Sequence, residues 1–420
     1  MPGGDHHARD GGCGNVSPDG RGTTHLTSGP GETTHGAAAA TRPRPRHVYV
    51  HVPFCGRRCS YCDFAIAVRR EAPVAEYVAA LAGELGTRFP GGDEWQVDTL
   101  YLGGGTPSRL GADGIGRLMD VLRARITLTP DAEVTIEANP DDVTPAAIAA
   151  WRAAGVTRLS LGAQSFEPGA LEWMHRTHTA GQIAEAVGIA RSGGVTSLSL
   201  DLIFALPESV PRSWSADLEA ALALRPDHLS LYGLTVERST PLGRWVARGL
   251  VAAATDDRYA DDYLAAHAAL SAAGFEHYEV SSFARPGARS RHNSGYWSGS
   301  AYAGLGPGAH EFDGDVRRWN IGAYTAWAQR ALRGEDPVAD REALTEDNRV
   351  SERLYLELRT AAGTVLDTAP EGWAQRLVRP WVEAGWARLD GGGARLSLTV
   401  EGWLRLDELV PMLANPGSRF

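Results

Sequence analysis

Six short apolar or β-branched runs, at 47–52, 97–102, 133–137, 157–162, 196–204 and 228–234, recur with helical periods between them. Runs of this length and composition read as strands. Pro73 is placed to start a helix, and Val74, Tyr77, Val78, Leu81 and Leu85 then fall on one of its faces. Ile115, Leu118, Met119 and Leu122 repeat that spacing after the second run. Six strand–helix units in succession call for a parallel sheet covered by helices. Six is short of the eight strands of a closed barrel, so the expected class is α/β with a partial (βα)6 barrel. The spacing by itself leaves an open doubly wound sheet as the alternative.

In a parallel barrel, active residues gather at the carboxyl ends of the strands. The unusual residues of this chain fall there after all six runs. Cys55, Cys59 and Cys62 form a C-x3-C-x2-C loop after the first. Gly103-Gly104-Gly105-Thr106-Pro107 follows the second, and Glu137 and Asn139 end the third. Gln164 and Ser165 follow the fourth, Asp201 sits within the end of the fifth, and Thr235 and Glu237 follow the sixth.

Three thiolates in one short loop can hold three irons of a 4Fe–4S cubane and leave the fourth open to a small molecule. Zinc is the rival, since His51 could complete a Cys3His set, but structural zinc sites draw ligand pairs from two separated knuckles and no second pair exists. Sparseness argues against a disulfide framework, with four cysteines in 420 residues, three of them crowded into one loop and the fourth, Cys13, in a Gly-rich tail. Glycines let backbone approach a ligand closely, which suits a small molecule with amino and carboxylate groups on the open iron. Glu137 and Asp201 suit ribose hydroxyls or an ammonium, Gln164 donates and accepts, and Arg176 suits a carboxylate. Each of these has a plainer role as a loop or a cap; it is their coincidence with the cysteine loop that points to a site.

The bulk properties narrow the class. A length of 420 residues with 43% hydrophobic residues accommodates one barrel-sized domain and a smaller one. No run approaches the ~20 apolar residues of a membrane span, and no secretory signal opens the chain. A cytoplasmic location is expected, with peripheral membrane association left open, as a monomer or homodimer. The net charge of −10 argues against nucleic-acid binding. All 41 basic residues are arginine, so lysine Schiff-base chemistry and a P-loop lysine are excluded.

Residues 1–46 are rich in Gly, Thr, Pro, His and Ala without hydrophobic period and read as a disordered tail. The barrel is expected over 47–285, and a less regular, Gly-, Arg- and aromatic-rich extension over 286–340. Beyond it, over 341–420, helical patterns at about 345–361 and 370–384, a hairpin at Ala387–Ser397 and a helix at about 399–413 suggest a winged-helix-like module. The acidic balance favours a helical cap over DNA binding there.

Several stretches together resemble the radical S-adenosylmethionine family that contains oxygen-independent coproporphyrinogen III oxidase and the HemW heme chaperones. They are Tyr49-Val-His-Val-Pro-Phe-Cys55, Gly103 to Pro107, Ile136-Glu-Ala-Asn-Pro140, Leu161-Gly-Ala-Gln-Ser-Phe166, Arg176-Thr-His178 and Asp201-Leu-Ile-Phe-Ala-Leu-Pro207. Tyr278-Glu-Val-Ser-Ser-Phe283, His292-Asn-Ser-Gly-Tyr-Trp297 and Gly306-Pro-Gly-Ala-His310 extend the match, which covers about 47–412 and includes a HemN-type C-terminal module. The resemblance implies cluster ligation by Cys55, Cys59 and Cys62. It implies S-adenosylmethionine contacts at Tyr49, Gly104, Glu137, Gln164, Arg176 and Asp201. Tyr61, Gly105, Thr106 and Thr235 match positions that touch a second S-adenosylmethionine in the oxidase.

Two features divide the family. The oxidases resemble C-x3-C-x2-C-x-C, whereas Phe64 stands here where the extra cysteine would be. The His292-Asn-x-x-Tyr-Trp297 motif resembles the HemW branch, where it is associated with heme. His292 could ligate heme iron, with Tyr296, Trp297 and Tyr302 offering faces to the macrocycle. Arg285, Arg289, Arg291, Arg317 and Arg318 could pair with propionates. The plainer reading is that His292 ties down a loop and the aromatics fill the core. The resemblance implies a chaperone that carries a cluster and S-adenosylmethionine and passes heme to apo-hemoproteins. The alternative is the oxidative decarboxylation of coproporphyrinogen III.

Overall fold

The computed structural model describes residues 44–91, 94–366, 373–390 and 394–414. The expected tail up to residue 43, Cys13 within it, and the Gly-rich hairpin tip at 391–393 lie outside them. The six expected strands form as β1 (His47–Val52), β2 (Gln96–Gly104), β3 (Thr127–Ala138), β4 (Arg158–Gln164), β5 (Ser197–Phe204) and β6 (His228–Gly233). Each pairs in parallel with the next. Their apolar side chains are almost fully buried, as befits strands covered on both faces: Val48, Val50, Leu100, Leu102, Ile136 and Leu200 are all 0% exposed.

The irregular region after 275 adds six more strands. β7 (Glu276–Glu279) and β8 (Ser282–Ala284) extend the sheet beyond β6 in antiparallel order. On the opposite edge β9 (Tyr302–Leu305) pairs in parallel with β1, and β10 (His310–Phe312), β11 (Val316–Asn320) and β12 (Val338–Ala343) follow it antiparallel. The parallel array therefore has seven strands, one more than the periodicity predicts. The order is linear from β12 to β7, so the barrel is partial. The seventh strand is only Tyr-Ala-Gly-Leu, too short to carry an alternation. Its glycine is required by close backbone approach, because a Cβ on Gly304 would stand 1.8 Å from the carbonyl oxygen of His310.

The helix expected after Pro73 runs Val74–Arg88, with Tyr77, Val78, Leu81 and Leu85 buried. Its Glu84 is 0% exposed and accepts from Trp327 Nε1 at 3.0 Å, Gly306 N–H at 2.9 Å and Asn320 Nδ2 at 2.6 Å, besides pairing with Arg88. A buried carboxylate so fully satisfied ties this helix to the strands after 302.

The C-terminal segment forms helices Glu346–Leu358 and Trp373–Glu383 and a three-stranded sheet of Thr364–Val365, Ala387–Asp390 and Arg395–Leu398. The single helix expected over 399–413 is two, Val400–Trp403 and Leu406–Ala414. Its core is continuous with that of the barrel, and buried Arg359 pairs with Glu279 at 2.9 Å across the junction. No described helix is long and apolar enough to cross a membrane.

Candidate functional site

Register fixes which end of the barrel is which. His47 pairs with Thr99 at the start of β1 and Val52 with Gly104 at its end. At the carboxyl ends lies a cavity of about 370 Å³. It is lined by Cys55, Cys59, Cys62, Tyr61, Gly104, Gly105, Thr106, Glu137, Gln164, Arg176, Asp201 and Thr235, so twelve of the fourteen residues singled out converge on one mouth. Tyr49 and His292 do not line it.

The cysteine loop begins where Phe54–Cys55 pairs with Ala67–Val68, which folds the loop back on itself. Gly105 lets it close over the sheet: a Cβ there would lie 2.6 Å from the Pro53 oxygen and 3.1 Å from Cys55 Sγ. All three cysteines are free and half-buried. Burial raises the Cys55 thiol and pushes that of Cys62 up to about 12. Iron would have to displace those protons. Among the described residues no three His, Cys, Asp or Glu side chains converge as the ligands of one metal ion. His51, the zinc rival, turns away, with Nε2 on the Ala65 oxygen at 2.9 Å and Nδ1 on Tyr49 OH at 3.1 Å. That is also where Tyr49 goes; its hydroxyl faces His51 rather than the mouth.

Arg176 reaches the mouth through a helix ending. The helix Pro168–Trp173 closes with His175 N–H on the Glu172 oxygen at 2.9 Å and Arg176 N–H on the Leu171 oxygen at 2.8 Å, a Schellman pair. The guanidinium then donates to Asn139 Oδ1 at 2.6 Å and the Gly162 oxygen at 3.0 Å, and lies 3.6 Å from Cys59 Sγ. Its Nε is buried without a partner. An unspent donor beside three thiols and a glycine turn suits an anionic ligand such as the carboxylate of S-adenosylmethionine bound on a cluster. The residues present fit both groups.

Glu137 sits deeper in the strand array. Its carboxylate accepts from Tyr101 OH at 2.8 Å and Gly104 N–H at 3.0 Å. Burial, with Asp201 adding repulsion, pushes its pKa up to about 7 despite those hydrogen bonds. Asp201 is raised by burial too, though Ser160 Oγ donates to both its oxygens at 3.0 Å. Gln164 holds a left-handed backbone, φ 64°, at the end of β4, which turns its side chain into the cavity.

His292 lies at the other end. It is 1% exposed, its Nδ1 shares a hydrogen bond with Thr99 Oγ1 at 2.8 Å, and its Nε2 shares one with Tyr296 OH at 2.7 Å. Its backbone N–H donates to Glu133 at 2.9 Å. Burial drops its pKa to about 3. Tyr302 is buried with Phe312 and Leu344. Arg285, Arg289, Arg291, Arg317 and Arg318 are dispersed among separate partners: the Ala273 oxygen, Glu276, Asp131, Glu352 and Asp336. Trp297 instead stacks under the Arg359 guanidinium at 3.7 Å.

Other cavity residues carry no signal in the motifs. Ser160 faces inward by strand alternation, which a period-2 count back from Gln164 through Gly162 would have found, and Tyr232 lines the cavity from the end of β6. His175 and Asp142 line the cavity as neighbours of the motif residues Arg176 and Asn139–Pro140.

The Radical SAM superfamily profile matches residues 49–221. The chain is 41% identical over 373 residues to "Heme chaperone HemW" of Mycobacterium tuberculosis H37Rv, spanning 88% of this chain and 95% of that protein. It is 33% identical over 319 residues to the protein of the same name in Bacillus subtilis 168, covering 76% and 84%. Among solved structures, coproporphyrinogen III oxidase (HemN) of Escherichia coli superposes with a TM-score of 0.76 at 24% identity, over 90% of this chain and 92% of that one. That likeness carries the fold alone. With relatives this similar along nearly their whole length, the chain belongs to the HemW family of the radical S-adenosylmethionine superfamily.

Proposed function

We propose that the protein is a heme chaperone that carries a 4Fe–4S cluster and S-adenosylmethionine and delivers heme to apo-hemoproteins. The observation that carries this reading is the full-length similarity to proteins named heme chaperones. Phe64 supports it, standing at the mouth where the resembling oxidases have a further cysteine.

In this reading Cys55, Cys59 and Cys62 hold the cluster. A cluster held there would supply one-electron reduction of the S-adenosylmethionine sulfonium, the chemistry that opens a carbon–sulfur bond. The chain's own part is to bind and orient. Arg176 offers its buried Nε and guanidinium face to a carboxylate, the Gly104–Gly105 backbone admits the methionine end, and Asp201 and Gln164 meet hydroxyls or an amine. Glu137 has a donor on each oxygen, so it acts as an acceptor of fixed orientation. Tyr61, Thr106 and Thr235 line the same cavity and complete its wall.

One anaerobic experiment tests the reading. Heme-loaded protein mixed with an apo-hemoprotein should pass its heme on, followed by the recipient's absorbance. The same protein with reductant, S-adenosylmethionine and coproporphyrinogen III should form no protoporphyrinogen IX. Turnover of the porphyrinogen without heme transfer would replace the chaperone with the oxidase.

A further inference from the structure

One-electron reduction of a sulfonium consumes an electron each time, and that electron has to arrive from another molecule. The surface around the cysteine loop decides where its carrier can sit. Arg57 and Arg58 stand exposed between Cys55 and Cys59, and Arg69 and Arg70 are exposed where the strand Ala67–Val68 ends. The two stretches lie side by side. Val68 pairs with Cys55, and Arg69 N–H donates to the Cys55 oxygen at 2.9 Å.

The fold makes little use of these four guanidinium groups. Arg58 donates to the Cys62 oxygen at 3.2 Å and Arg69 to the Val68 oxygen at 3.0 Å, and among the described residues none of the four is ion-paired. Elsewhere Arg88, Arg212 and Arg359 each meet a carboxylate. Residues 55–71 set four arginines against Asp63 and Glu71, in a chain whose net charge is −10. Such a patch steers association. An acidic partner is repelled by the molecule as a whole and drawn to this face, whereas a basic partner is drawn elsewhere, away from the cluster ligands.

The same face carries bare apolar area. Val68 is 43% exposed and Phe64 42%, two of the five large apolar side chains exposed among the described residues. Arginine and aromatic side chains are enriched at protein interfaces, and electron carriers make small ones, at the low end of the size range. A carrier seated here touches the loop that holds the cluster, so the electron has no further part of the fold to cross.

We propose that the exposed face of residues 55–71 docks an acidic one-electron carrier protein, through Arg57, Arg58, Arg69 and Arg70 around Val68 and Phe64. The inference rests on the cluster-bearing reading above and names the partner that serves it. The carrier loses one electron and the cluster gains one; no bond or proton is exchanged. An anionic lipid surface would meet the same arginines but brings no electron.

Arg69→Glu/Arg70→Glu is the decisive variant, because both residues lie outside the cavity and beyond the cysteine loop. Its cluster absorbance and iron content should match those of the unaltered chain. The probe is flavodoxin, a small acidic flavoprotein, mixed anaerobically in its hydroquinone form with the reconstituted protein. Bleaching of the cluster gives the transfer rate, and calorimetric titration of the metal-free chain with oxidised flavodoxin gives the affinity. At low ionic strength the variant should lower both by about tenfold or more, and roughly 0.5 M salt should bring the unaltered chain down to the same level. Photoreduced 5-deazaflavin, small and uncharged, should reduce both clusters at rates within about twofold of each other. Flavodoxin rates and affinities that ignore both the substitution and the salt would overturn the docking face. So would capture by phosphatidylglycerol vesicles that the variant loses while its flavodoxin rate stays unchanged. A chain that takes up no cluster, or one whose cluster deazaflavin cannot reduce, would instead remove the cluster-bearing reading itself.

Discussion

At the amino-terminal end of the barrel, His292 is enclosed by Thr99, Tyr296 and Glu133 and every polar group on it has a partner. At the carboxyl end, Arg176 keeps a buried Nε without one at the wall of a cavity, where His175 also stands. Both ends are made of histidine, tyrosine and carboxylate, and both are covered by motifs with chemistry to offer. The difference lies in completeness. A closed hydrogen-bond network holds a fold together, and a donor left over at the wall of a cavity is one that a ligand can meet; Trp297 Nε1, also unpartnered, is buried under the Arg359 guanidinium instead. The two ends are joined by stacked rings: Tyr101 lies 5.0 Å from His292 and carries the hydroxyl that holds Glu137.

This contrast can be broken in three ways. The largest effect belongs to the mouth: replacing Cys55, Cys59 and Cys62 by alanine should abolish iron–sulfur absorption after reconstitution. The same variant should cost the metal-free protein no more than about 1 kcal/mol in unfolding, because the thiols make only long contacts, Cys55 Sγ with Thr106 Oγ1 and Cys59 Sγ with Arg176, both at 3.6 Å. A large loss of stability would show the cysteine loop to be structural. Next, His292→Ala should lower the stability of the metal-free protein by about 2–4 kcal/mol in urea unfolding, by opening a cavity and stranding Thr99 and Tyr296. A change below ~0.5 kcal/mol would deny the base its closed character.

The smallest effect is a pair of opposed pH slopes. Glu137 has its pKa raised from 4.5 to about 7 by burial, so the folded protein binds the extra proton between those values. Its stabilisation is complete below 4.5 and is lost as pH rises toward 7. His292 has its pKa lowered from 6.5 to about 3, so its contribution is complete above 6.5 and is lost as pH falls. Each bends the stability profile by up to about 1.4 kcal/mol per pH unit, in opposite directions. Between pH 5 and 6, Glu137→Gln should therefore remove a decline and His292→Ala should remove a rise. Equal slopes in the two variants would sink the comparison.

Much of the architecture was legible from period alone. The ends of β1 match the apolar run residue for residue, and β2 and β3 run longer because Gln96 and Val97 find partners in Thr127 and Leu128 beyond the apolar run. The cysteine loop, the glycine run and the carboxylates were readable because strand ends in a parallel array share one side. Less could be read where the fold depends on distant closure. The strand Tyr302–Leu305 is four residues long and becomes a strand by lying against β1. His292 looked like a ligand because residue type says nothing of which end of a barrel a later helix plugs.

One consequence of the topology concerns time. β1 is flanked by β2 on one side and by β9 on the other, and His47 pairs with Tyr302, 255 positions later in the chain (302 − 47). During synthesis the strand that launches the cysteine loop must wait with one edge bare until almost three-quarters of the protein has emerged. A nascent chain cut short before residue 302 would expose that edge and leave the loop without its second flank. The strand end from which the cysteine loop departs thus gains its second flank only when the sheet is nearly complete.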